Sequence, residues 1–321
     1  MNKYRKNMFQ DALSINNEIY KYRIYDNAGN RKKENIIPKL INFLTCIKFY
    51  ILIYVKREVV LPYCEIVVTT KCSLKCKDCA SLIPYYNSAY NISLEDAKKT
   101  IDRLFDTVDR VRMFGIIGGE TFLYPKLDEV IEYILNTKKV DSIRIFTNAT
   151  MSKVNKKILR AIYNKKVHIS ISNYNLKNTY KLYNFFKAHQ IKVVMDRPMT
   201  WRDRGGVEPR NRTSEELKDQ FHNCYMKTCK SILNGRLYFC PRSGHGHDLG
   251  LIDTPEDDYV DLHKNEPIVD KQNQLLNLYY GKHYVRACDY CDVGTDLCVE
   301  IPAALQLTAE EEALFHSKAK K

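Results

Sequence analysis

From residue 61 onward the chain alternates between short apolar runs and amphipathic runs of helical period. The run "YCEIVVTT" (63–70) predicts a strand buried on both faces, because its apolar residues are β-branched and continuous rather than alternating. "SLEDAKKTIDRLFDTV" (93–108) predicts a helix, with Ser93 as N-cap and Glu95 and Asp96 in the first turn, where acids favour the unpaired N–H groups. The alternation then repeats as strand 110–118, helix 125–137, strand 142–149, helix 155–164, strand 167–172, helix 176–189 and strand 191–196. Five strands joined by helical crossovers require a parallel sheet, either doubly wound or closed into a barrel. In both architectures ligands collect where strands end and loops begin.

Two regions break this rhythm. "LINFLTCIKFYILIYV" (40–55) is strongly apolar, but Asn42 and Lys48 interrupt it and it falls short of the roughly 20 residues a spanning helix needs. It is expected to be an amphipathic helix packed on the domain; contact with a membrane surface through residues 40–57, beside Lys39, Lys56 and Arg57, is the alternative. After Asp196 a Gly- and Pro-containing loop leads into a short helix, and residues 221–300 then hold six of the eleven cysteines with little regular pattern. A loop-rich segment of this kind needs staples, so a metal-held unit is expected. Its one clear hairpin is "SILNGRLYFCP" (231–241), where Asn234-Gly235 suits a tight turn. The expected organisation is a helical extension (1–60), an α/β domain (61–215), a cysteine-rich domain (216–305) and a basic tail (306–321), whose end "HSKAKK" (316–321) is expected to be disordered.

Composition narrows the chemistry. With 45% hydrophobic and 28% charged residues, the 321-residue chain is an ordinary globular protein rather than a disordered one. Its start lacks the apolar stretch and cleavage site of a secretory signal, so a cytoplasmic location is expected, and a reducing compartment disfavours a disulfide framework. A net charge of +13 favours an anionic partner. No aromatic-and-basic RNA-binding signature or zinc-finger spacing is present, so no nucleic-acid partner is expected.

The stretch "TTKCSLKCKDCA" (69–80) sets Cys72, Cys76 and Cys79 just after the first strand. Structural zinc takes four ligands, usually as two pairs, and this trio has no nearby fourth. A [4Fe–4S] cluster on three thiolates keeps one iron open for a substrate or cofactor. The loop resembles the radical S-adenosylmethionine (SAM) superfamily, whose signature is C-x3-C-x2-C after the first strand of a partial (β/α)6 barrel. The resemblance implies an α/β radical SAM barrel, and it extends to later strand ends. "GGE" (Gly118, Gly119, Glu120) sits where the family holds the methionine amino group, Thr147 and Asn148 fall beside the cofactor, and Ser170 or Ser172 is placed to bond the ribose. Asp78 departs from the aromatic residue usual before the third cysteine, and a sixth strand is not evident unless residues 197–231 supply it.

Cys224, Gly235 and Cys240, followed by Cys288 and Cys291, resemble the twitch and SPASM extensions of the same superfamily, which bind auxiliary [4Fe–4S] clusters. Either Cys224 or Cys229 is the upstream ligand, and a structural zinc on Cys229, Cys240, Cys288 and Cys291 is the competing assignment. Six late cysteines favour one auxiliary cluster over two. Cys298 is a further ligand or a thiol that donates a hydrogen atom. Cys46 and Cys64 lie in apolar runs and read as packing residues, and His245 and His247 as loop residues rather than substrate contacts.

The resemblance implies reductive cleavage of S-adenosylmethionine to a 5′-deoxyadenosyl radical, with flavodoxin or ferredoxin as reductant, and hydrogen abstraction from a small substrate. An anionic sugar derivative is expected, leading to oxidation or epimerisation. The alternatives are a peptide-modifying maturase and a non-catalytic iron–sulfur protein.

Overall fold

The computed structural model describes residues 2–24, 36–196 and 200–319. Two helices come first, α1 (Arg5–Ile24) and α2 (Ile36–Tyr50), and a π turn over Ile51–Val55 continues the second. The parallel strands are β1 (Val60–Thr69), β2 (Arg110–Gly118), β3 (Val140–Thr147), β4 (Val167–Ile171) and β5 (Val193–Met195). Between them run α3 (Leu94–Thr107), α4 (Leu127–Asn136), α5 (Lys156–Ile162) and α6 (Thr179–Ala188). Each expected strand and helix is present within a few residues of its predicted bounds. Ser93 caps α3 as expected, accepting from Asp96 N.

The remaining elements are β6 (Thr200–Arg202), α7 (Ser214–Asn223), β7 (Ser231–Leu233), β8 (Arg236–Tyr238), α8 (Pro241–Asp248), β9 (Tyr259–Asp261), α9 (Ile268–Tyr280), β10 (Glu300–Pro302) and α10 (Ala309–Lys318). The main sheet has the order β5-β4-β3-β2-β1-β7-β8-β9. β7 lies parallel on the free edge of β1, pairing Glu65 with Ser231 and Ile66 with Ile232. It takes the sixth parallel place, and the hairpin expected in a separate cysteine-rich unit thus extends the main sheet. Asn234 and Gly235 both have positive φ, 49° and 76°, as the tight turn demands.

Period-two burial orients the sheet. Cys64, Ile66 and Val68 on β1 belong to the large core beneath the helices, whereas Val67 packs with Leu233 and Tyr238 on the opposite face. Helices α1 and α2 cover the start of the strands: Arg112 on β2 lies over the Phe49 ring of α2 and pairs with Asp141 of β3 at 2.7 Å. Among the described residues no helix is long and apolar enough to cross a membrane. Phe49, Leu52 and Ile53 are buried, so residues 40–55 pack on the domain along one face.

Two sequence expectations need correction. The end of the tail, expected to be disordered over 316–321, is helical as far as Lys318, because α10 (Ala309–Lys318) starts on a Thr308–Glu311 capping box and Phe315 stacks on Tyr85 at 4.2 Å; residues 320–321 lie outside the described residues. His245 is not a loop residue either: it lies on α8, is 1% exposed, and meets the Tyr86 hydroxyl through Nδ1 at 2.9 Å.

Candidate functional site

The site begins where β1 ends. Thr69 Oγ1 donates to Asn91 Oδ1 at 2.7 Å and accepts from Lys71 N at 3.0 Å, which turns the chain into the cysteine loop. The loop then runs against the end of β2: Gly119 N donates to Thr69 O at 3.0 Å and Glu120 N to Lys71 O at 2.8 Å. A Cβ on Gly119 would stand 2.5 Å from Lys71 O and 2.8 Å from Cys72 Cβ, so only glycine permits this approach.

A cavity of about 230 Å³ opens at these strand ends and is lined by Cys72, Cys76 and Cys79. Gly118, Gly119, Thr147, Asn148 and Ser172 form a second part of its wall, so residues expected from four separate strand ends meet at one cavity. Tyr174, Trp201 and Arg204 also line it. These three were not anticipated: Trp201 sits on a three-residue strand paired with β10, Arg204 in the loop beyond it, and neither carries a local pattern.

Three amide donors point at the sulfurs. Asn148 Nδ2 and Leu74 N each stand 3.4 Å from Cys72 Sγ, and Gln306 Nε2 stands 3.3 Å from Cys76 Sγ. Burial pushes the Cys72 thiol up to about 12 and the Cys76 thiol up to about 11, and raises that of Cys79. Such thiols stay protonated at neutral pH until a metal displaces the proton. Amide donors to sulfur are then the contacts that stabilise ligating thiolates. Among the described residues no three metal-ligand side chains converge as ligands of one ion. A cluster instead takes each thiolate at a different iron, and the three thiols with their donors fit that group.

Two expected residues behave differently from their neighbours. Glu120 is 1% exposed and does not line the cavity. Its carboxylate accepts from Thr147 Oγ1 at 2.9 Å, Asn148 N at 2.8 Å and Phe122 N at 3.0 Å, and so ties the ends of β2 and β3 together. Burial raises its pKa and these donors lower it. Of the two serines, Ser172 reaches the cavity, whereas Ser170 is buried and accepts from Arg144 Nη2 at 3.0 Å.

The late cysteines form a second, narrower cavity lined by Cys224, Cys240, Cys288 and Cys291, with Phe221, Phe239 and Pro241 as apolar wall. Cys224 follows α7, Cys240 precedes α8, and Cys288 and Cys291 share a turn whose Cys291 N donates to Cys288 O at 3.2 Å. Gln220 Nε2 holds that turn by donating to Cys288 O at 3.0 Å and Cys291 O at 2.7 Å, and Arg212 Nη1 donates to Cys291 O at 2.8 Å. Burial pushes Cys240 up to about 12 and raises Cys224 and Cys288. Cys229 is outside this lining and lies near Glu65 and Lys230, within electrostatic reach of Cys224. Cys298 is buried near Cys291 and Arg204 but lines neither cavity. Ala80 and Arg204 line both cavities, which therefore adjoin.

The chain is similar in part to several known proteins. Over 105 residues the chain is 33% identical to the antilisterial bacteriocin subtilosin biosynthesis protein AlbA of Bacillus subtilis (strain 168), a match taking in 33% of this chain and 22% of AlbA. The crystal structure of Streptococcus suis SuiB is 19% identical, with 52% of this chain and 39% of SuiB covered at a TM-score of 0.35. BtrN in complex with AdoMet and 2-DOIA is 15% identical, with 78% of this chain and 98% of BtrN covered at a TM-score of 0.44. The chain thus spans well under two thirds of AlbA or SuiB. Residues 66–207 match the family described as the radical SAM superfamily, which uses a [4Fe–4S] cluster and S-adenosylmethionine. Cys72, Cys76 and Cys79, gathered at the strand ends of a mostly parallel sheet, lie inside this matched segment, which takes in less than half of the chain.

Proposed function

We propose that the protein is a radical SAM oxidoreductase with two [4Fe–4S] sites, one on Cys72, Cys76 and Cys79 and an auxiliary one on Cys224, Cys240, Cys288 and Cys291. The observation that carries this reading is that Cys224, Cys240, Cys288 and Cys291 line one cavity, and that it adjoins the first through Ala80 and Arg204. Bound at the first site, the cluster and S-adenosylmethionine supply a radical able to take a hydrogen atom from an unactivated C–H bond. An auxiliary cluster supplies an acceptor for the electron left on the substrate.

The chain's own residues position and shield. Gly118, Gly119, Thr147, Asn148 and Ser172 offer the wall against which the cofactor rests, and Tyr174 and Trp201 keep water from the reacting carbon. Arg204 fixes an anionic group of the substrate between the two sites. Because Cys298 lines neither cavity, we assign it no hydrogen-return role and favour oxidation over epimerisation.

A cavity wall that carries a guanidinium together with Tyr174 and Trp201 suits a phosphorylated sugar. The second reading, peptide modification, is favoured by the likeness to AlbA, which is named for bacteriocin biosynthesis. Anaerobic reconstitution separates the parts of the proposal. Wild type is expected to hold about eight irons and the Cys72→Ala/Cys76→Ala/Cys79→Ala variant about four. Four in wild type and none in the variant removes the auxiliary site. Deoxyadenosine formation above background with nucleotide sugars supports the sugar reading; formation only with precursor peptides replaces it with the second.

A further inference from the structure

Helix α2 and its π turn carry an apolar face that nothing among the described residues covers. Leu40, Phe43, Leu44, Ile47, Ile51 and Val55 are 42–66% exposed. They recur at spacings of three and four and so form one stripe. Tyr50 and Tyr54 border it, with their rings edge-on to Phe9 of α1. On the opposite face Phe49, Leu52 and Ile53 are buried, so the helix is anchored and the stripe faces outward as a fixed surface. Exposed large apolar residues elsewhere in the described chain occur singly or in pairs. A contiguous apolar face of this kind marks an interaction site.

Charge selects the occupant. Residues 36–57 contain Lys39, Lys48, Lys56 and Arg57 and no acid, and Lys56 and Arg57 are exposed. Two copies meeting through this face would press two cationic borders together. An anionic bilayer satisfies both halves: acyl chains take the apolar stripe and headgroups take the cations. We propose that α2 lies in the plane of an anionic membrane surface and docks the protein there. Phe49 lies under Arg112, and Lys48 is 3.8 Å from Asp141, near the starts of β2 and β3. Docking by this end leaves the cysteine loop, at the other end of the strands, turned away from the lipid.

The test is co-sedimentation of the purified, cluster-loaded protein with phosphatidylglycerol–phosphatidylcholine vesicles against phosphatidylcholine alone, at about 0.15 M salt. Binding is expected only to the anionic vesicles, weakening as salt rises. Phe43→Glu/Ile47→Glu is expected to abolish it, and Lys56→Gln/Arg57→Gln to weaken it about fivefold per basic residue, with both melting temperatures close to wild type. No sedimentation with either vesicle, or binding untouched by Phe43→Glu/Ile47→Glu, overturns the proposal. So does a dimer in light scattering that this variant splits, which would give the face to a second copy.

Discussion

Cys224 and Cys229 bracket one short helical turn, Tyr225–Thr228, and differ in place: Cys224 lines the cavity of the late cysteines, whereas Cys229 does not, lying near Glu65 and Lys230 and within electrostatic reach of Cys224. Cys224→Ala is therefore expected to lose about four of eight irons, and Cys229→Ala to keep them all; equal losses in both would refute this ligand assignment. His245 makes a different prediction. Burial holds its pKa down to about 4, with Asp248 opposing the shift. A histidine whose folded-state pKa is lowered contributes fully above its ordinary value of 6.5. That contribution drains away as pH falls from there toward 4, because the unfolded chain takes up the proton first. His245→Gln removes this dependence. Melts of the apoprotein should show wild type losing ground to the variant between pH 6.5 and 4.5 by about 2 kcal/mol, whereas parallel curves would mean the ring charges readily in place.

Among the elements, the C-terminal strap has the most to say about the first site. β10 pairs with β6, after which Leu307 N donates to Lys75 O and Lys77 N to Leu305 O, both at 2.8 Å, so the chain bridges the cysteine loop directly. Helix α10 follows, with Glu311 and Glu312 paired to Lys77 and Lys75. These pairs are exposed and add little, which leaves the backbone bridge and Gln306 as the effective contacts. Gln306→Leu should lower the reduction potential of a cluster on Cys72, Cys76 and Cys79 by about 40 mV, the equivalent of a hydrogen bond of about 1 kcal/mol. The check is an EPR-monitored titration in a Cys288→Ala/Cys291→Ala background, and an unchanged midpoint would show that the amide does not reach the sulfur. Gly119→Ala should prevent that cluster from assembling and cost about 1–3 kcal/mol, because the new methyl meets backbone at Lys71 O. None of the strap was legible in advance. β6 and β10 are three residues each, and their pairing joins segments about a hundred residues apart, so no local period announces it. The alternating strands and helices were legible because burial imposes periods of two and 3.6 on neighbouring residues. The strand-end residues of the site followed from that register. Glu120 shows the boundary of such reading: its position at the end of β2 was foreseeable, but its turn inward depended on Asn148 N and Thr147 arriving from the next strand.

Across the molecule, a cation with no direct ion pair among the described residues stands between the two cysteine cavities. Arg210 and Arg212 are spent on Asp292, and Arg242 on the carbonyls of Tyr290, Gly205 and Gly206. Arg204 lines both cavities, donates to Tyr225 Oη at 3.3 Å and Arg202 O at 3.4 Å, and makes no ion pair within 4 Å among the described residues. Burial raises the pKa of the Asp78 carboxyl, and the Arg204 guanidinium is near enough to draw it down. A guanidinium at a cavity wall with no carboxylate in direct contact is available to an incoming anion, and the net charge of +13 favours the approach of one. Charge-assisted hydrogen bonds of this type contribute about 1.5–3 kcal/mol, so Arg204→Ala should raise KM for an anionic substrate about 10- to 100-fold. Iron content should not change, since the residue touches no ligand cysteine by hydrogen bond. Arg204→Lys should recover part of the loss, because the charge returns without the fork that grips two oxygens at once. The wild-type kcat/KM should also fall with ionic strength more steeply than that of Arg204→Ala. If both variants match wild type in KM at every salt concentration, the substrate's anion is not held here and the bridge between the cavities has another purpose.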